Sequence, residues 1–317
     1  MRIVPESTDY RRDEAQQVRD ALVELLDEES SVEALCPLAK RTTLRVGGPA
    51  DVLVEPSGVE ALAAVARFAH ERRVPIFCLG RGSNLLVKEG GVAGIVVALS
   101  HPSFRRIDIQ GHHLTVGAGV RLKTLAMEAK KAGLGGLEFL EGIPGSVGGA
   151  LCMNAGAMGA EIFDVTLSLR VVTESGAVEQ WDAKETPHRY RECPALHRCF
   201  AVEATLQGCP DTQENIARRL TESNRKRWDS QPAKPSSGCT FKNPDSVPAG
   251  RLIDELGLKK TTVGAAEVSE VHANFLINNG GASSRDFLEL IEIIREKARR
   301  ERGMELRTEV QIVGEDE

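Results

Sequence analysis

The sequence predicts an α+β protein, with a mixed body up to about residue 215 and a smaller α/β domain after it. Three observations predict it. From residue 52 onward, apolar residues switch between helical spacing and short runs of strand length. Two dense glycine clusters, at 80–82 and 142–156, break that pattern. A Pro/Ser/Gly stretch over 231–238 then reads as a boundary loop, after which strand, helix and strand return. The expected division is an N-terminal helical extension over 1–41, a body of two subdomains over 42–215, and a C-terminal domain over 216–317. The last strand is expected to return to the body.

The elements follow in order. Residues 11–28 place Val18, Leu22, Leu25 and Leu26 among charges at helical spacing, which predicts an amphipathic helix. Leu62, Val65, Ala66 and Ala69 mark a second helix. Residues 75–79, 95–99 and 114–116 are short apolar strands, the last closed by Gly117-Ala118-Gly119. Leu122, Leu125 and Ala129 mark a helix that Gly133 ends. Residues 167–172 and 178–181 flank Glu174-Ser175-Gly176-Ala177, a hairpin signal. Residues 200–206 add a strand. Residues 211–228 read as a helix carrying Arg218, Arg219, Arg225, Lys226 and Arg227. Strands at 275–277 and 310–313 bracket a helix over 284–302, whose apolar face is Phe287, Leu290, Ile291, Ile294 and Ala298. Ser283 with Asp286 is a capping-box pattern at its start.

Composition narrows the function classes. A chain of 317 residues is long enough for about two domains and a large core. Forty Lys+Arg against 46 Asp+Glu give a net charge of −6, which argues against a general nucleic-acid footprint. No apolar run can span a bilayer, and the N-terminus lacks the apolar core of a secretory signal. Seven cysteines without CxxC spacing read as free thiols in a reducing compartment, and no metal site is expected. A cytoplasmic protein is the expectation. The basic run at 218–227 is either a solvated helix face or a phosphate site.

The first glycine cluster, Gly80-Arg81-Gly82-Ser83-Asn84-Leu85, directly follows a strand. It is either a plain tight turn or an anion nest that suits a pyrophosphate. It lacks the third glycine of the dinucleotide fingerprint, and Lys88-Glu89-Gly90-Gly91 interrupts any crossover helix, so a Rossmann site is disfavoured. The second cluster, Gly142-Ile143-Pro144-Gly145-Ser146-Val147-Gly148-Gly149, continues into Asn154-Ala155-Gly156. Glycine in an element interior costs roughly 0.5–1 kcal/mol relative to alanine. Such density calls for either a flat ligand against the backbone or a loop joining sheets.

These two clusters together resemble the FAD-binding domain of the UDP-N-acetylenolpyruvoylglucosamine reductase (MurB) family. So do Tyr190-Arg191, the run from Pro235 through Cys239 to Pro244, Ala249-Gly250-Arg251-Leu252-Ile253-Asp254, Val268 to Phe275, and Leu306-Arg307-Thr308-Glu309-Val310. The resemblance runs from about Thr42 to the C-terminus. It implies a vanillyl-alcohol-oxidase-type FAD-binding body, a C-terminal substrate domain, and the subtype lacking the extra tyrosine loop. It further implies noncovalent FAD held by Gly80, Arg81, Gly82, Ser83, Asn84 and Leu85. Gly142, Ile143, Pro144, Gly145, Ser146, Gly148, Gly149, Asn154, Ala155 and Gly156 would complete that cradle. NADPH would be the electron donor, and the product UDP-N-acetylmuramate. An oxidase of the same fold is the rival, but the loop 80–86 has no histidine for a covalent flavin.

By the same resemblance, Arg191 and Glu309 clamp the substrate carboxylate and Cys239 is the proton donor, where the family commonly has serine. A thiol with an ordinary pKa of about 8.5 is mostly protonated at neutral pH and can serve. Tyr190, Arg227, Lys242, Asn243 and His272 are the expected substrate-binding residues, with Lys226 an alternative to Arg227. Taken without the family, Arg191 is one arginine among several, Glu309 a strand carboxylate and Cys239 a small buried thiol. For His272 and Asn274 a strand-end structural role stands beside a uridine pocket. The expected partner is a small UDP-sugar, with no nucleic acid or membrane, and the expected state is a monomer.

Overall fold

A computed structural model describes residues 2, 3, 10 and 12–316. The side chains of Arg2, Ile3 and Lys226 lie outside the description, as do residues 4–9 and 11 of the expected N-terminal extension. The chain divides into two compact units that interleave in sequence. The first comprises residues 1–36, 51–80 and 93–226, and the second residues 37–50, 81–92 and 227–317. The sequence-based boundary after residue 215 falls inside a helix, because apolar periodicity marks elements and not the long-range pairings that assign them to a unit.

The first unit holds two five-stranded sheets. One has strand order 2–3, 76–79, 92–98, 49–55, 31–37. Its strand Ile76–Leu79 pairs in parallel with the strand containing Ile95 to Ala98. Helix α1 (Ala15–Leu25) and helix α2 (Val59–Glu71) belong with it. Val18, Leu22, Leu62, Val65 and Ala69 pack with Val52, Val54, Ile95 and Val97 in one core. The N-terminal helix is thus part of this unit's core. The other sheet is antiparallel, in the order 178–182, 166–173, 199–207, 113–117, 107–110. The hairpin signal at 174–177 is met by Gly176 at φ +81° between strands Thr166–Thr173 and Val178–Asp182. Helix α3 (Leu122–Lys131) buries Leu122, Leu125 and Ala129. Helix α4 (Val147–Cys152) lies inside the second glycine cluster and is followed by the short α5 (Ile162–Val165). Helix α6 (Gln213–Ser230) packs Ile216 and Leu220 into this core.

The second unit contains a sheet in the order 236–239, 275–278, 266–268, 262–263. Residues 236–238, expected as the end of a loop, belong to an edge strand, Ser236–Cys239, with a register shift, because its backbone pairs with Phe275–Asn278. The last strand, Gln311–Val313, runs parallel to Leu85–Val87. Helix α7 (Ala249–Glu255) and helix α8 (Ser284–Arg302) complete the unit. The capping box at Ser283 and Asp286 is formed in both directions, and Gly303 closes α8 at φ +62°. Its expected apolar face is buried, together with Leu44, Leu86, Phe241 and Val310.

All seven cysteines are free thiols. Cys36, Cys193 and Cys199 are buried, Cys209 is exposed, and Cys78, Cys152 and Cys239 are intermediate. No helix among the described residues is long and apolar enough to cross a membrane.

Candidate active site

The first unit carries Gly80, the second glycine cluster and Arg191. Backbone bonds from Val147 N–H to Val120 and from Gly148 N–H to Ala118, both 2.9 Å, hold the start of α4. A Cβ on Gly148 would stand 3.0 Å from that of Ala118, so close packing already disfavours a side chain here. Gly80 and Gly149 differ. Neither has positive φ. A Cβ on Gly80 would meet nothing nearer than Ser146 Oγ at 3.4 Å, and one on Gly149 only the same oxygen at 3.7 Å. They lie side by side, since that Cβ on Gly80 is 4.0 Å from Gly149 Cα. The protein's own packing gives no reason for either to lack a side chain. A flat group laid against this backbone does, so these residues fit FAD.

Arg191 sits at the tip of a tight bend closed by mutual backbone bonds between Arg189 and Glu192. Its φ is +58°, a conformation rare for a residue with a side chain and common at functional positions. The guanidinium lies over the ring of Tyr190, 4.8 Å from the centroid. It donates to the carbonyl of Gly156 at 3.2 Å and stands 3.9 Å from a carboxylate oxygen of Glu161. Asn154 is fully buried. Its amide donates to Glu161 at 2.6 Å and to the carbonyl of Arg189 at 3.3 Å, while its oxygen accepts from Phe163 N–H. Asn154 and Gly156 therefore orient the arginine bend. Glu161 completes this arrangement and was missed in the sequence. Its signal is weak, a lone glutamate after Met158-Gly159-Ala160.

The second unit brings the first glycine loop, Cys239 and Glu309 together. Gly82 has φ +61°, and a Cβ there would lie 2.5 Å from the carbonyl oxygen of Arg41. Thr43 Oγ1 donates to the carbonyls of Gly82 at 3.2 Å and Ser236 at 2.7 Å, fastening the loop to the Cys239 strand. Nothing in the sequence singled out Thr43. The side chain of Asn84 donates to the carbonyl of Glu309 at 3.1 Å. Glu309 N–H donates to the carbonyl of Thr240 at 2.8 Å, so Glu309 lies directly opposite the neighbour of Cys239. Gly238, at φ +77°, turns the backbone just before Cys239, a residue of intermediate burial. Burial pushes the thiols of Cys193 and Cys199 up to about 11, which keeps them protonated and inert.

The remaining expected residues spread over the second unit. Asn243 Oδ1 accepts from Ala249 N–H at 3.0 Å, at the start of α7. Lys242 N–H donates to the carbonyl of Arg307 at 2.9 Å. His272 packs on Gly250 and Phe275 and accepts at Nδ1 from Asn274 N–H. Its burial lowers the pKa, so the ring is neutral with its proton on Nε2. Asn274 is buried and bonds both backbone groups of Phe241, at 2.9 and 2.8 Å, which is a structural clamp. Arg227 lies in the last turns of α6, next to Lys226, whose side chain is outside the description.

Comparison with known proteins identifies the family. Residues 50–181 match an FAD binding domain model, and residues 231–313 match the C-terminal domain of UDP-N-acetylenolpyruvoylglucosamine reductase. The reductase of that name from Syntrophomonas wolfei is 38% identical over 282 residues, spanning 88% of this chain and 94% of the relative. The one from Paramagnetospirillum magneticum is 41% identical over 279 residues, spanning 88% and 90%. The crystal structure of the Thermus caldophilus reductase (MurB) superposes with a TM-score of 0.79 at 38% identity, covering 90% of this chain and all of that one. The chain belongs to the UDP-N-acetylenolpyruvoylglucosamine reductase family.

Proposed function

We infer that the chain reduces the enolpyruvyl ether of UDP-N-acetylglucosamine to the lactyl ether, giving UDP-N-acetylmuramate for peptidoglycan precursor synthesis. The observation that carries this reading is the ladder in which Glu309 N–H bonds the carbonyl of Thr240, beside Cys239. It sets a carboxyl group and a thiol on neighbouring segments, groups suited to reduction followed by protonation. The glycine clusters would hold FAD, which when bound would supply hydride transfer from NADPH to the substrate β-carbon.

The chain's own residues do the rest. Arg191 presents a planar, permanently charged fork to the substrate carboxylate, where negative charge spreads as the α-carbon becomes carbanionic. Its bend is fixed by Asn154 and Gly156 before substrate arrives, so little reorganisation is left for the reaction. Cys239 gives its thiol proton to the α-carbon and regains one from solvent. Glu309 would assist either by donating a hydrogen bond when protonated or by orienting a water. Tyr190, Arg227, Lys242, Asn243 and His272 bind the UDP-sugar, the amide of Asn243 being free to donate while its oxygen caps α7. The protein acts as a cytoplasmic monomer on this small molecule, a setting that suits seven free thiols.

The test is optical and anaerobic. The purified protein is yellow, NADPH bleaches it, and UDP-N-acetylglucosamine enolpyruvate restores the colour in one turnover. Recolouring by oxygen alone, with no response to the enolpyruvyl substrate, would assign the chain to an oxidase instead.

A further inference from the structure

The second unit has a cavity of about 470 Å³ lined by Lys242, Glu292, Arg295, Arg299, Glu305 and Arg307. Its charges do not balance. Arg295 pairs with Glu292 at 2.6 Å, and Arg299 pairs with Glu305 at 2.5 and 3.0 Å. Arg295 Nε is further engaged by the carbonyl of Leu306. Both carboxylates are thereby used. Lys242 and Arg307 remain, and neither makes a side-chain hydrogen bond or ion pair with another described residue.

The backbone register makes this more than a basic surface. Phe241 and Thr308 form an antiparallel bridge, and Lys242 N–H bonds the carbonyl of Arg307. Lys242 and Arg307 are therefore directly opposite each other. Cross-strand neighbours have Cβ atoms about 5 Å apart, and like charges there destabilise the pair. Among the described residues no carboxylate pairs with either side chain to offset that repulsion. An anion held by both would turn it into attraction, with the guanidinium forks of Arg295 and Arg299 on the cavity wall. The volume lies in the range of small-molecule sites, roughly 300–1,000 Å³.

We propose that this cavity is a binding site for a phosphate-type dianion, coordinated by Lys242 and Arg307. Two sources carry this chemistry, the diphosphate of the UDP-sugar and a free phosphorylated metabolite. The first source rests on the reductase reading, which already gives Lys242 to the UDP-sugar, whereas binding of a free phosphate compound requires no turnover and stands without it.

The probe is inorganic pyrophosphate, titrated calorimetrically into the holoenzyme at low salt. One equivalent binds, and added salt weakens it by screening. Arg307→Gln, at an exposed position, weakens binding about tenfold, the loss of one charge-assisted hydrogen bond. Glu305→Gln strengthens binding, because it releases Arg299 into the cavity. A gain of affinity cannot arise from misfolding. Displacement of pyrophosphate by the UDP-sugar assigns the site to the substrate's diphosphate, and simultaneous binding assigns it to a separate metabolite. Absent binding, or equal affinity in parent, Arg307→Gln and Glu305→Gln, overturns the proposal.

Discussion

The side-chain amide of Asn84 donates to the backbone carbonyl of Glu309 at 3.1 Å, joining segments 225 residues apart. The return bond runs from Gln311 N–H to the carbonyl of Asn84 at 3.0 Å. The first glycine loop and the segment bearing Glu309 are thus locked into one piece of the second unit. Asn84→Ala removes one arm of that lock. A single neutral hydrogen bond contributes about 0.5–1.5 kcal/mol, so reoxidation by substrate should slow up to about tenfold. Anaerobic stopped-flow of that step, normalised to flavin content, makes the measurement. An unchanged rate would show that Glu309 is held without this bond.

The glycines separate into two kinds, and substitution should show it. Gly82→Ala meets the carbonyl of Arg41 at 2.5 Å and takes a positive φ, so it should lower the melting temperature. Gly149→Ala meets nothing nearer than 3.7 Å and should fold normally, with its melting temperature as apoprotein unchanged or raised. Its methyl group stands where FAD would lie, so the flavin-to-protein absorbance ratio should fall severalfold. Full flavin retention in Gly149→Ala would remove this backbone from the cofactor cradle.

Much of the fold was legible because its signals are local. Helix α8 was read to the residue, since Ser283, Asp286 and a 3.6-period apolar face act within the helix itself. The hairpin around Gly176 was legible for the same reason. Helix α4 was not, because Gly148 and Gly149 have low helix propensity and the helix is held from outside, by Val120 and Ala118. The strand Ser236–Cys239 was hidden by serine and glycine, and only pairing with Phe275–Asn278 makes it a strand. The interleaving of the two units rests on contacts such as Leu86 with Ile312, more than two hundred residues apart, which periodicity does not carry. In the site, glycines and motif residues stood out, while Glu161 and Thr43 act through geometry alone.

Arg191 is held by charge and by shape, and lysine preserves only the first. Arg191→Lys keeps a positive charge but loses the planar fork and the stacking on Tyr190. Turnover should fall by roughly 10²-fold or more, the scale of one lost transition-state donor, while NADPH bleaches the flavin at the parent rate. Glu161→Gln should give a milder version of the same split. Equal loss in both half-reactions would mean that the bend is structural.

The N-terminal segment is fastened by a buried carboxylate. Tyr10 donates to Asp51 at 2.9 Å, and Gly94 N–H donates to the same oxygen at 3.1 Å. Burial, then the Asp51 charge, raises the Tyr10 pKa above its ordinary value of 10.0. A raised acid is stabilised in its protonated form. Its contribution is therefore complete below about pH 10 and is lost as pH rises through the higher folded value. The melting temperature of the parent should drop more steeply above pH 10 than that of Tyr10→Phe. At pH 7 the variant should lose about 1–3 kcal/mol, the cost of a bond to a charged group. Parallel pH profiles would show that the hydroxyl does not support the fold.

Cys239 gives the sharpest test, because its side chain can be changed in size and acidity separately. It ends an edge strand after Gly238, and its carbonyl neighbour Thr240 is bonded by both Thr240-facing amides, Glu309 and Val310. Backbone bonds therefore fix the position whatever the side chain. Alanine keeps that backbone and removes the transferable proton. General acid catalysis contributes roughly 10²–10⁴-fold, so Cys239→Ala should slow flavin reoxidation by substrate by about that factor. Bleaching by NADPH needs no such acid and should be unaffected. Cys239→Ser restores a hydroxyl at the same reach and should recover much of the rate. Alkylation should block turnover, and bound substrate should protect, whereas Cys193 and Cys199 should resist the reagent because they are buried. Stopped-flow of the two half-reactions separates these outcomes. Reoxidation of Cys239→Ala at the parent rate would make this thiol a packing residue and move the proton to a water beside Glu309.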